Sequence, residues 1–481
     1  MLGLKAVLQG RSVKNFTSLA SGTVAAQILM VLSSPIITRL YNEEEFGLYA
    51  VYASVVAILA VVASMRYELV IPLVPSQAEL NAILKLCLIL CCVVALAFLT
   101  VFVLFSEQII ALFSLPINNS LLLLSVLGIF VTGLLTILNF LCVSKQEFKV
   151  VARSKLVHSV AHITIQIMAS SFGAFALALG QVSGKVFAML SMLPKALSLW
   201  RKPVESAEPS LFVVAKNYRR FPIFSTWAAL FNVIGENLPF LLLAVLFSPA
   251  VAGAFALTHR VLSLPITVIS SLVGDIFYSQ IKQNLEDGTL PAKFDNTYSI
   301  LSLLITMPCL LFVVIGPDLF AFIFGESWRL SGEYARFMAF QIYSNFVASP
   351  LATIMSALEK ENEFFVFNIV LILLRVGVIF YGASQGDALL TIALFCFVSS
   401  ACYFALLIRA VVLSKIGITK LFFNTGLPLA FNLVFVLPLI FVSNGSSFTP
   451  AWWVALLGGL LAALFYFLIS INKKFRISEI I

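Results

Sequence analysis

Four ionisable side chains lie in the middle of long apolar stretches of this sequence: Lys185, Glu236, Arg260 and Arg375. At roughly 1.5 Å per helical residue, the three cations would lie about 16–18 Å along their helices, near the centre of a lipid bilayer. A charge at that depth costs about 2.5–3.5 kcal/mol even on the mildest scale, so it indicates a function by default.

Small and polar residues recur on the helix faces that carry these charges. Spacings of three, four or seven residues join Arg260 with Ser263, Asn232 with Glu236, Gln181 with Lys185, Asn368 with Arg375, and Thr23 with Gln27. Residues at these spacings lie on one face of a helix. The polar faces therefore predict a water-accessible cavity in the centre of the protein.

The charge in this predicted cavity is unbalanced, with three cations against one carboxylate. A structural pair between Glu236 and Arg260 is one interpretation, but it leaves Arg375 and Lys185 without evident partners. The other interpretation is an anionic ligand, and phosphate is the natural choice because a guanidinium matches its geometry. His158 and His162 have metal-ligand spacing, but no third ligand is visible. We predict no metal site and no cofactor.

The composition determines the class of protein in which these charges act. The chain has 481 residues, of which 61% are hydrophobic and 11% charged, and its mean hydropathy is +1.06. A spanning helix needs about 20 apolar residues, so the chain is an integral membrane protein with many spans. Secreted, nucleic-acid-binding and disulfide-framework classes are excluded. No P-loop, dinucleotide motif or catalytic triad is apparent, and the protein is predicted not to be an enzyme.

Fourteen apolar stretches predict an all-α polytopic fold. They cover about 17–38, 46–70, 83–105, 120–142, 156–172, 174–195, 221–246, 249–275, 298–316, 334–357, 364–384, 388–410, 421–442 and 451–471. With a cytoplasmic N-terminus, 24 of the 30 Lys and Arg residues fall on the inner side and three on the outer side. The positive-inside rule then predicts that both termini are cytoplasmic.

An internal repeat organises the spans. Residues 38–51 resemble residues 244–257 at an offset of 206, and Lys145-Gln146-Glu147-Phe148 resembles the segment from Lys360 to Phe364 at an offset near 216. The repeat predicts two parallel six-helix lobes, a transporter architecture with the substrate site between the halves. The predicted division is 1–195 for the N-lobe, 196–220 for a cytoplasmic linker, 221–411 for the C-lobe, and 412–481 for helices 13 and 14 with a cytoplasmic tail.

Three motifs carry a resemblance to a known family: ITRLYNEEEFGLYAVY at 37–52, MRYELVIPL at 65–73 and GAFALTHRVLSLPITVISSLVGDIFY at 253–278. With them, the chain resembles a polysaccharide-transporter (O-antigen type) flippase of the multidrug/oligosaccharidyl-lipid/polysaccharide superfamily. The resemblance implies a MATE-like fold of two lobes around a cationic cavity. It also implies a lipid-linked oligosaccharide, carried on polyprenyl pyrophosphate, that is turned from the inner to the outer leaflet by alternating access.

We therefore expect a flippase of the cytoplasmic (inner) membrane that serves surface polysaccharide synthesis, for example of the O-antigen of lipopolysaccharide. The expected partners are a lipid-linked anionic oligosaccharide, membrane lipids, H+ or Na+ as the coupling ion, and other polysaccharide-assembly proteins, but no nucleic acid. An ion-coupled multidrug or small-solute exporter of the same fold is the alternative, and a membrane glycan polymerase is a second one. The predicted cavity residues are Arg260, Arg375, Lys185, Glu236, Gln27, Asn232, Ser263 and Asn368.

A cytoplasmic gate is predicted from the repeat. Adding 206 to Arg66 leads to the neighbourhood of Asp275, so Arg66 or Arg153 could pair with Asp275 when the cavity is closed to the cytosol. Glu68 completes the Arg66-Tyr67-Glu68 motif at this gate. The alternative interpretation of that motif is a membrane-surface anchor with a local charge pair.

Overall fold

The computed structural model describes residues 11–113, 118–201, 203, 208–263, 266–415 and 426. All regular elements in this part of the chain are helical. The α-helices are α1 (Arg11–Leu32), α2 (Ser34–Leu40), α3 (Glu43–Ala60), α4 (Gln77–Leu104), α5 (Ser106–Phe113), α6 (Asn119–Ser144), α7 (Phe148–Met168), α8 (Ala174–Trp200), α9 (Leu211–Asn217), α10 (Thr226–Leu246), α11 (Pro249–Leu262), α12 (Ser271–Glu286), α13 (Leu290–Phe324), α14 (Arg329–Leu351), α15 (Thr353–Ala357), α16 (Glu361–Gln385) and α17 (Ala388–Leu413). Short 3₁₀ turns occur at Tyr67–Val70, Ser170–Phe172 and Glu326–Trp328, and π-helical turns at Phe221–Ser225 and Ile266–Ser270.

The predicted all-helical membrane fold is confirmed. Within the described residues, eight helical segments are long and apolar enough to cross a membrane. Each of the first twelve predicted stretches also contains a helix or a pair of helices. The predicted spans 421–442 and 451–471 lie outside the described residues, so the count of fourteen stays a prediction.

The predicted second span, 46–70, is wrong as one continuous helix. Helix α3 ends at Ala60, and a 3₁₀ turn follows at Tyr67–Val70. Between them, Met65 and Arg66 have φ angles of 50° and 62°. Left-handed backbone at two successive residues cannot continue a right-handed helix, and for bulky residues it is uncommon.

The predicted eighth span, 249–275, is likewise interrupted. Helix α11 ends at Leu262, a π-helical turn covers Ile266–Ser270, and α12 begins at Ser271. The sequence has Pro265 between α11 and this turn, and a proline has no backbone N–H with which to continue an α-helix.

The segments 276–297 and 317–333, which separate predicted spans, are largely helical. Helix α12 continues to Glu286, and the 35 residues of α13 reach Phe324. At 1.5 Å per residue α13 is about 52 Å long, whereas the hydrocarbon core of a bilayer is about 30 Å thick. Hydropathy reports only the apolar part of a helix, so polar helical extensions fall outside the predicted spans.

The first of two compact units, Met1–Ala256, contains α1 to α10 and the first half of α11. Helix α7 packs between α1 and α8, and α6 packs against α3, α4 and α8. Helix α10 packs along α3. The apolar core of this unit is built from buried side chains of α3, α4, α6 and α8.

The second unit, Leu257–Ile481, is described for α12 to α17 and the second half of α11. Helix α14 packs between α13 and α17, and α16 packs on α17. The large side chains of Tyr298, Phe320, Trp328 and Phe346 are fully buried and fill the space around α14. The predicted lobe limits stay predictions.

The motif around residues 41–47 is a helix start. The Asn42 side chain accepts a hydrogen bond from Glu45 N (2.8 Å), and Glu45 Oε2 accepts one from Asn42 N (2.9 Å), which forms a capping box. Glu43 and Glu44 add negative charge to the first turn, where the helix dipole stabilises it. Tyr41 Oη donates to the carbonyl oxygen of Gln166 and ties this start to α7.

The two copies of this motif pack on each other through equivalent glycines. A Cβ added at Gly47 would lie 1.8 Å from the carbonyl oxygen of Pro249, and one at Gly253 would lie 2.0 Å from that of Glu43. Gly47 and Gly253 are 206 positions apart, as are Glu43 and Pro249. The contact is thus reciprocal, as expected for two copies related by a two-fold axis.

A second pair of equivalent contacts follows the repeat. Lys195 Nζ at the end of α8 lies 2.8 Å from Glu147 Oε1, next to the start of α7. In the second unit, Arg409 near the end of α17 donates to both oxygens of Glu363 near the start of α16, at 2.7 and 2.9 Å. Both helix hairpins are therefore closed at the same end by an ion pair.

Candidate functional site

Lys185 is positioned by a close contact between α7 and α8. Gly180 and Gly184 form a Gly-x-x-x-Gly pattern on α8, and a Cβ added at them would lie 2.9 Å from the His162 carbonyl oxygen and 2.8 Å from that of His158. Small residues at this spacing let two membrane helices approach closely. The approach places the His158 ring against Gly184, next to Lys185.

Two lysines in this region are held by hydroxyl groups. Lys185 Nζ donates to Thr132 Oγ1 of α6 at 2.7 Å, and Lys155 Nζ donates to Thr23 Oγ1 of α1 at 2.8 Å. Among the described residues, no carboxylate lies within ion-pair distance of either lysine. Sequence reasoning missed Lys155 because it lies just before the predicted span 156–172, although its i, i+3 and i+7 spacing with His158 and His162 could have placed it on their face.

The histidine pair does not complete a metal site in the described part of the chain. The rings of His158 and His162 meet edge to face with their centroids 5.5 Å apart. Among the residues described, no group of three or more His, Cys, Asp or Glu side chains converges on one point. The pair packs at the α7–α8 contact.

Arg375 is held by three side chains of α17. Its Nε donates to Ser399 Oγ at 2.8 Å, and its guanidinium carbon lies 5.0 Å from the ring centroid of Phe395 and 5.9 Å from that of Tyr403. These three residues are four positions apart and so line one face of α17. Stacking and one hydrogen bond fix the plane of the guanidinium.

The absence of a carboxylate distinguishes Arg375 from other arginines of the second unit. Arg329, Arg336 and Arg409 each donate to a carboxylate. Of the residues that the structure describes, no Asp or Glu lies within ion-pair distance of Arg375. A guanidinium has five donors, and Ser399 occupies only one of them. Arg375 therefore keeps donors for an anion.

The remaining predicted cavity residues lie on several helices. Glu236 is exposed on α10 and accepts a hydrogen bond from Asn232 Nδ2 at 3.4 Å. Arg260 is half-buried near the end of α11, and its predicted pairing with Glu236 stays a prediction. The other three predicted residues are half-buried: Gln27 on α1, Ser263 directly after α11, and Asn368 on α16, whose Nδ2 donates to the Phe364 carbonyl oxygen at 2.9 Å.

The Arg66-Tyr67-Glu68 motif forms a local charge pair, as the anchor interpretation predicted. Arg66 Nη1 lies 3.4 Å from Glu68 Oε1, and Ser64 Oγ donates to Glu68 Oε2 at 2.5 Å. The Glu68 side chain is only 3% exposed. Arg153 is exposed on α7, whereas the side chain of Asp275 on α12 lies outside the described part. The gate between these residues stays a prediction.

An apolar cavity of about 310 Å³ lies within the first unit, between α3, α4, α5, α6 and α10. Its wall includes Tyr52, Phe102, Leu122 and Leu241, and the hydroxyl of Ser125 donates to the Leu122 carbonyl oxygen at 2.6 Å. Such a cavity suits a hydrocarbon and offers no charge to a polar headgroup. Its wall includes none of the cationic residues described above.

A family model described as "Polysaccharide biosynthesis protein" matches residues 36–332. The chain belongs to this family. The matched range contains all three motifs that carry the predicted resemblance, which is thereby confirmed, and it contains Lys185, Glu236 and Arg260. Arg375 lies beyond it.

One curated relative of this chain is "Lipopolysaccharide biosynthesis protein WzxC" of Escherichia coli (strain K12). It is 25% identical over 183 residues, which is 37% of this chain and 37% of the relative. The match thus covers well under half of the relative's length.

Solved structures share the fold. "Lipid II flippase MurJ, inward closed conformation" has a TM-score of 0.77 at 11% identity, and the alignment covers 95% of this chain and 99% of that one. An inward-facing multidrug resistance MATE transporter of the MOP superfamily has a TM-score of 0.56 at 12% identity, covering 85% and 97%. A transporter of the same superfamily from Pyrococcus furiosus has 0.54 at 13% identity, also covering 85% and 97%. This polysaccharide biosynthesis protein therefore has the fold of those transporters.

Proposed function

We propose that this protein is a flippase that moves a lipid-linked oligosaccharide from the inner to the outer leaflet of the cytoplasmic membrane. The oligosaccharide is carried on polyprenyl pyrophosphate and is used for surface polysaccharide synthesis. Transport proceeds by alternating access and involves no chemical change of the substrate, so the protein is a transporter and not an enzyme. Both termini are cytoplasmic in this proposal.

Family membership and fold support the class of substrate. The chain belongs to a family described as "Polysaccharide biosynthesis protein" and has several helices long and apolar enough to cross a membrane, and a solved structure with the same fold is that of a lipid II flippase. The described loops are too short to build a separate catalytic domain, which argues against a glycan polymerase.

The observation that carries the proposal is the state of Arg375. Its guanidinium is oriented by Ser399, Phe395 and Tyr403 while no carboxylate of the described chain neutralises it. Lys185 is held in a similar way by Thr132. A charge in lipid without a counter-ion is costly. Two cations that are held in place without a carboxylate therefore favour an anionic ligand such as pyrophosphate. An exporter of cationic drugs would instead favour acidic residues in its cavity.

The test removes these charges one at a time. Arg375→Ala should reduce surface polysaccharide at least tenfold in the native host, because hydrogen bonds to a charged group contribute about 1.5–3 kcal/mol. Arg375→Lys should restore part of the activity, since the charge remains but the stacking and the fork of donors do not. Lys185→Ala should have a milder effect, because an ammonium is a point charge and cannot bind an anion through the two parallel hydrogen bonds of a guanidinium. The measurement is surface glycan per molecule of protein in the membrane.

Arg336→Ala is the matched control, since Arg336 is already neutralised by Glu333 at 2.9 Å. It should leave surface glycan near the wild-type level. Wild-type glycan in both Arg375→Ala and Lys185→Ala, with normal amounts of protein in the membrane, would contradict the anion-binding role.

A further inference from the structure

The described residues between α8 and α10, which include helix α9, pack onto the first unit. Leu211, Val214, Ala215 and Tyr218 recur at i, i+3, i+4 and i+7 across α9, and all four pack against the apolar core. Val214 is 1% exposed. One face of α9 is thus committed to the protein interior.

Polar contacts fix the same orientation. Tyr67 Oη donates to the Ala215 carbonyl oxygen at 3.0 Å, and Tyr218 Oη donates to Glu79 Oε1 at 3.0 Å. An ion pair joins Lys85 of α4 to Glu208, just before α9. Contacts on both sides of α9 prevent it from rolling, so its opposite face must point outward.

The outward face combines apolar and basic side chains. Phe212 is 77% exposed and Val213 is 48% exposed, and Lys216, Arg219 and Arg220 beside them are also exposed. Within the described part of the chain, none of these three cations has a carboxylate within ion-pair distance. Three unneutralised charges next to an exposed phenyl ring are typical of a surface that meets an anionic, partly apolar partner.

The position in the chain indicates which partner this is. The segment follows α8, a candidate span that ends at Trp200, and it continues through Tyr218 and Phe221, which pack on the same core, into the candidate span Phe221–Leu246. Both of its ends are therefore at the membrane surface. Apolar side chains there enter the boundary of the acyl chains, while Lys and Arg lie level with the phosphates.

We propose that the face formed by Phe212, Val213, Lys216, Arg219 and Arg220, here called the linker face, binds the headgroups of anionic phospholipids. This binding anchors the base of α10 to the bilayer surface. The inference is independent of the transported substrate, since it rests on the linker alone. Inorganic phosphate shares the headgroup's charge but has no acyl chain for Phe212 to contact, so the lipid is the ligand.

The test uses the full chain in phosphatidylcholine nanodiscs that contain a fixed fraction of phosphatidylglycerol. Phe212→Trp introduces an indole into the linker face. The emission of this indole is obtained by subtracting the emission of the parent protein from that of the variant. One set of discs carries brominated phosphatidylglycerol as the quencher and the other carries brominated phosphatidylcholine at the same fraction. The ratio of the two quenching efficiencies measures local enrichment of the anionic lipid.

We expect quenching by both lipids, with clear enrichment of phosphatidylglycerol. Adding Arg219→Gln and Arg220→Gln should weaken the preference about 25-fold, at about fivefold for each basic residue near an anionic surface. The matched control is Lys145→Gln with Lys149→Gln, which removes two exposed charges at the α6–α7 turn and should leave the enrichment unchanged. High salt should lower the enrichment, because exposed charges are screened.

Three results would overturn the proposal. Equal quenching by the two lipids would mean that the linker face has no headgroup preference. No quenching by either lipid would mean that it faces water, as expected for a docking surface for an acidic protein. Loss of enrichment on adding millimolar inorganic phosphate at constant ionic strength would mean that the linker face binds free phosphate and not the lipid. The quenching readouts do not depend on polysaccharide export. The lipid-binding proposal can therefore fail while the proposed flippase function stands, and the reverse.

Discussion

Replacing Gly47 by Ala introduces a methyl group at the reciprocal contact between α3 and α11. The new Cβ would lie 1.8 Å from the Pro249 carbonyl oxygen, whereas real Cβ contacts are at least 3.0 Å, so the two helix starts must separate by about 1.2 Å. The obstacle is backbone, and no side-chain rotation can relieve it. Overpacking of this kind costs about 1–3 kcal/mol.

Gly253→Ala should cost a similar amount, because its Cβ would lie 2.0 Å from the Glu43 carbonyl oxygen of the same contact. The two costs should not add. Once one methyl group has separated the helix starts, the second enters space that is already open. We expect the double variant to be about as stable as the weaker single variant, with a coupling energy of about 1–2 kcal/mol.

The assay is denaturant unfolding of the purified protein in detergent, for the wild type, both single variants and the double variant. Gly377→Ala is the control: Gly377 lies within α16 and a Cβ there would meet nothing within 4 Å. It should be neutral or slightly stabilising, since Ala favours a helix over Gly by up to about 1 kcal/mol. Wild-type stability of Gly47→Ala, or costs that simply add in the double variant, would refute the reciprocal contact.

Two other predictions concern single carboxylates. The hydrogen bond from Lys85 holds the pKa of Glu208 below its ordinary value of 4.5, so the tie is complete above that value and is lost as the pH falls through the lowered pKa. Hydrogen exchange of residues 211–218, corrected for its intrinsic pH dependence, should therefore accelerate in acid. In the Glu208→Gln variant these residues should exchange faster already at pH 7. An equal acceleration by acid in that variant would mean that Glu208 does not cause it. Glu236→Gln should abolish the dependence of transport in vesicles on an imposed H+ or Na+ gradient, if Glu236 carries the coupling ion; full retention of that dependence would leave Glu236 as a structural residue only.

Two offsets in the sequence connect residues that make equivalent local contacts. The offset of 206 correctly relates Gly47 to Gly253 and Glu43 to Pro249, and the offset near 216 relates Glu147 to Glu363. The sequence comparison could not show that the equivalent residues touch. Whether equivalent residues touch depends on how the helices that carry them pack, which a sequence offset does not report.

The interruptions of the spans were harder to predict. Hydropathy averages over a window, so a turn made of Met65 and Arg66 between apolar neighbours has little effect on it. The same averaging joined α11, the π-helical turn and α12 into one predicted span. Backbone conformation at single residues is decided by local hydrogen bonds and contacts, here the ion pair of the half-buried Arg66 with the buried Glu68.

The sequence alone determined the class of the protein and its helical content, and it predicted which charged residues lie within the spans. These conclusions follow from the composition and from the spacing of apolar residues. Lipid permits only structures that make all their backbone hydrogen bonds internally, and it makes each interior charge costly. Only the tertiary structure decided what holds the charges. Thr132 lies 53 positions from Lys185, and Ser399 lies 24 positions from Arg375, so no local pattern connects them. Partners of this kind are brought together by helix packing, which depends on the shapes of many side chains at once.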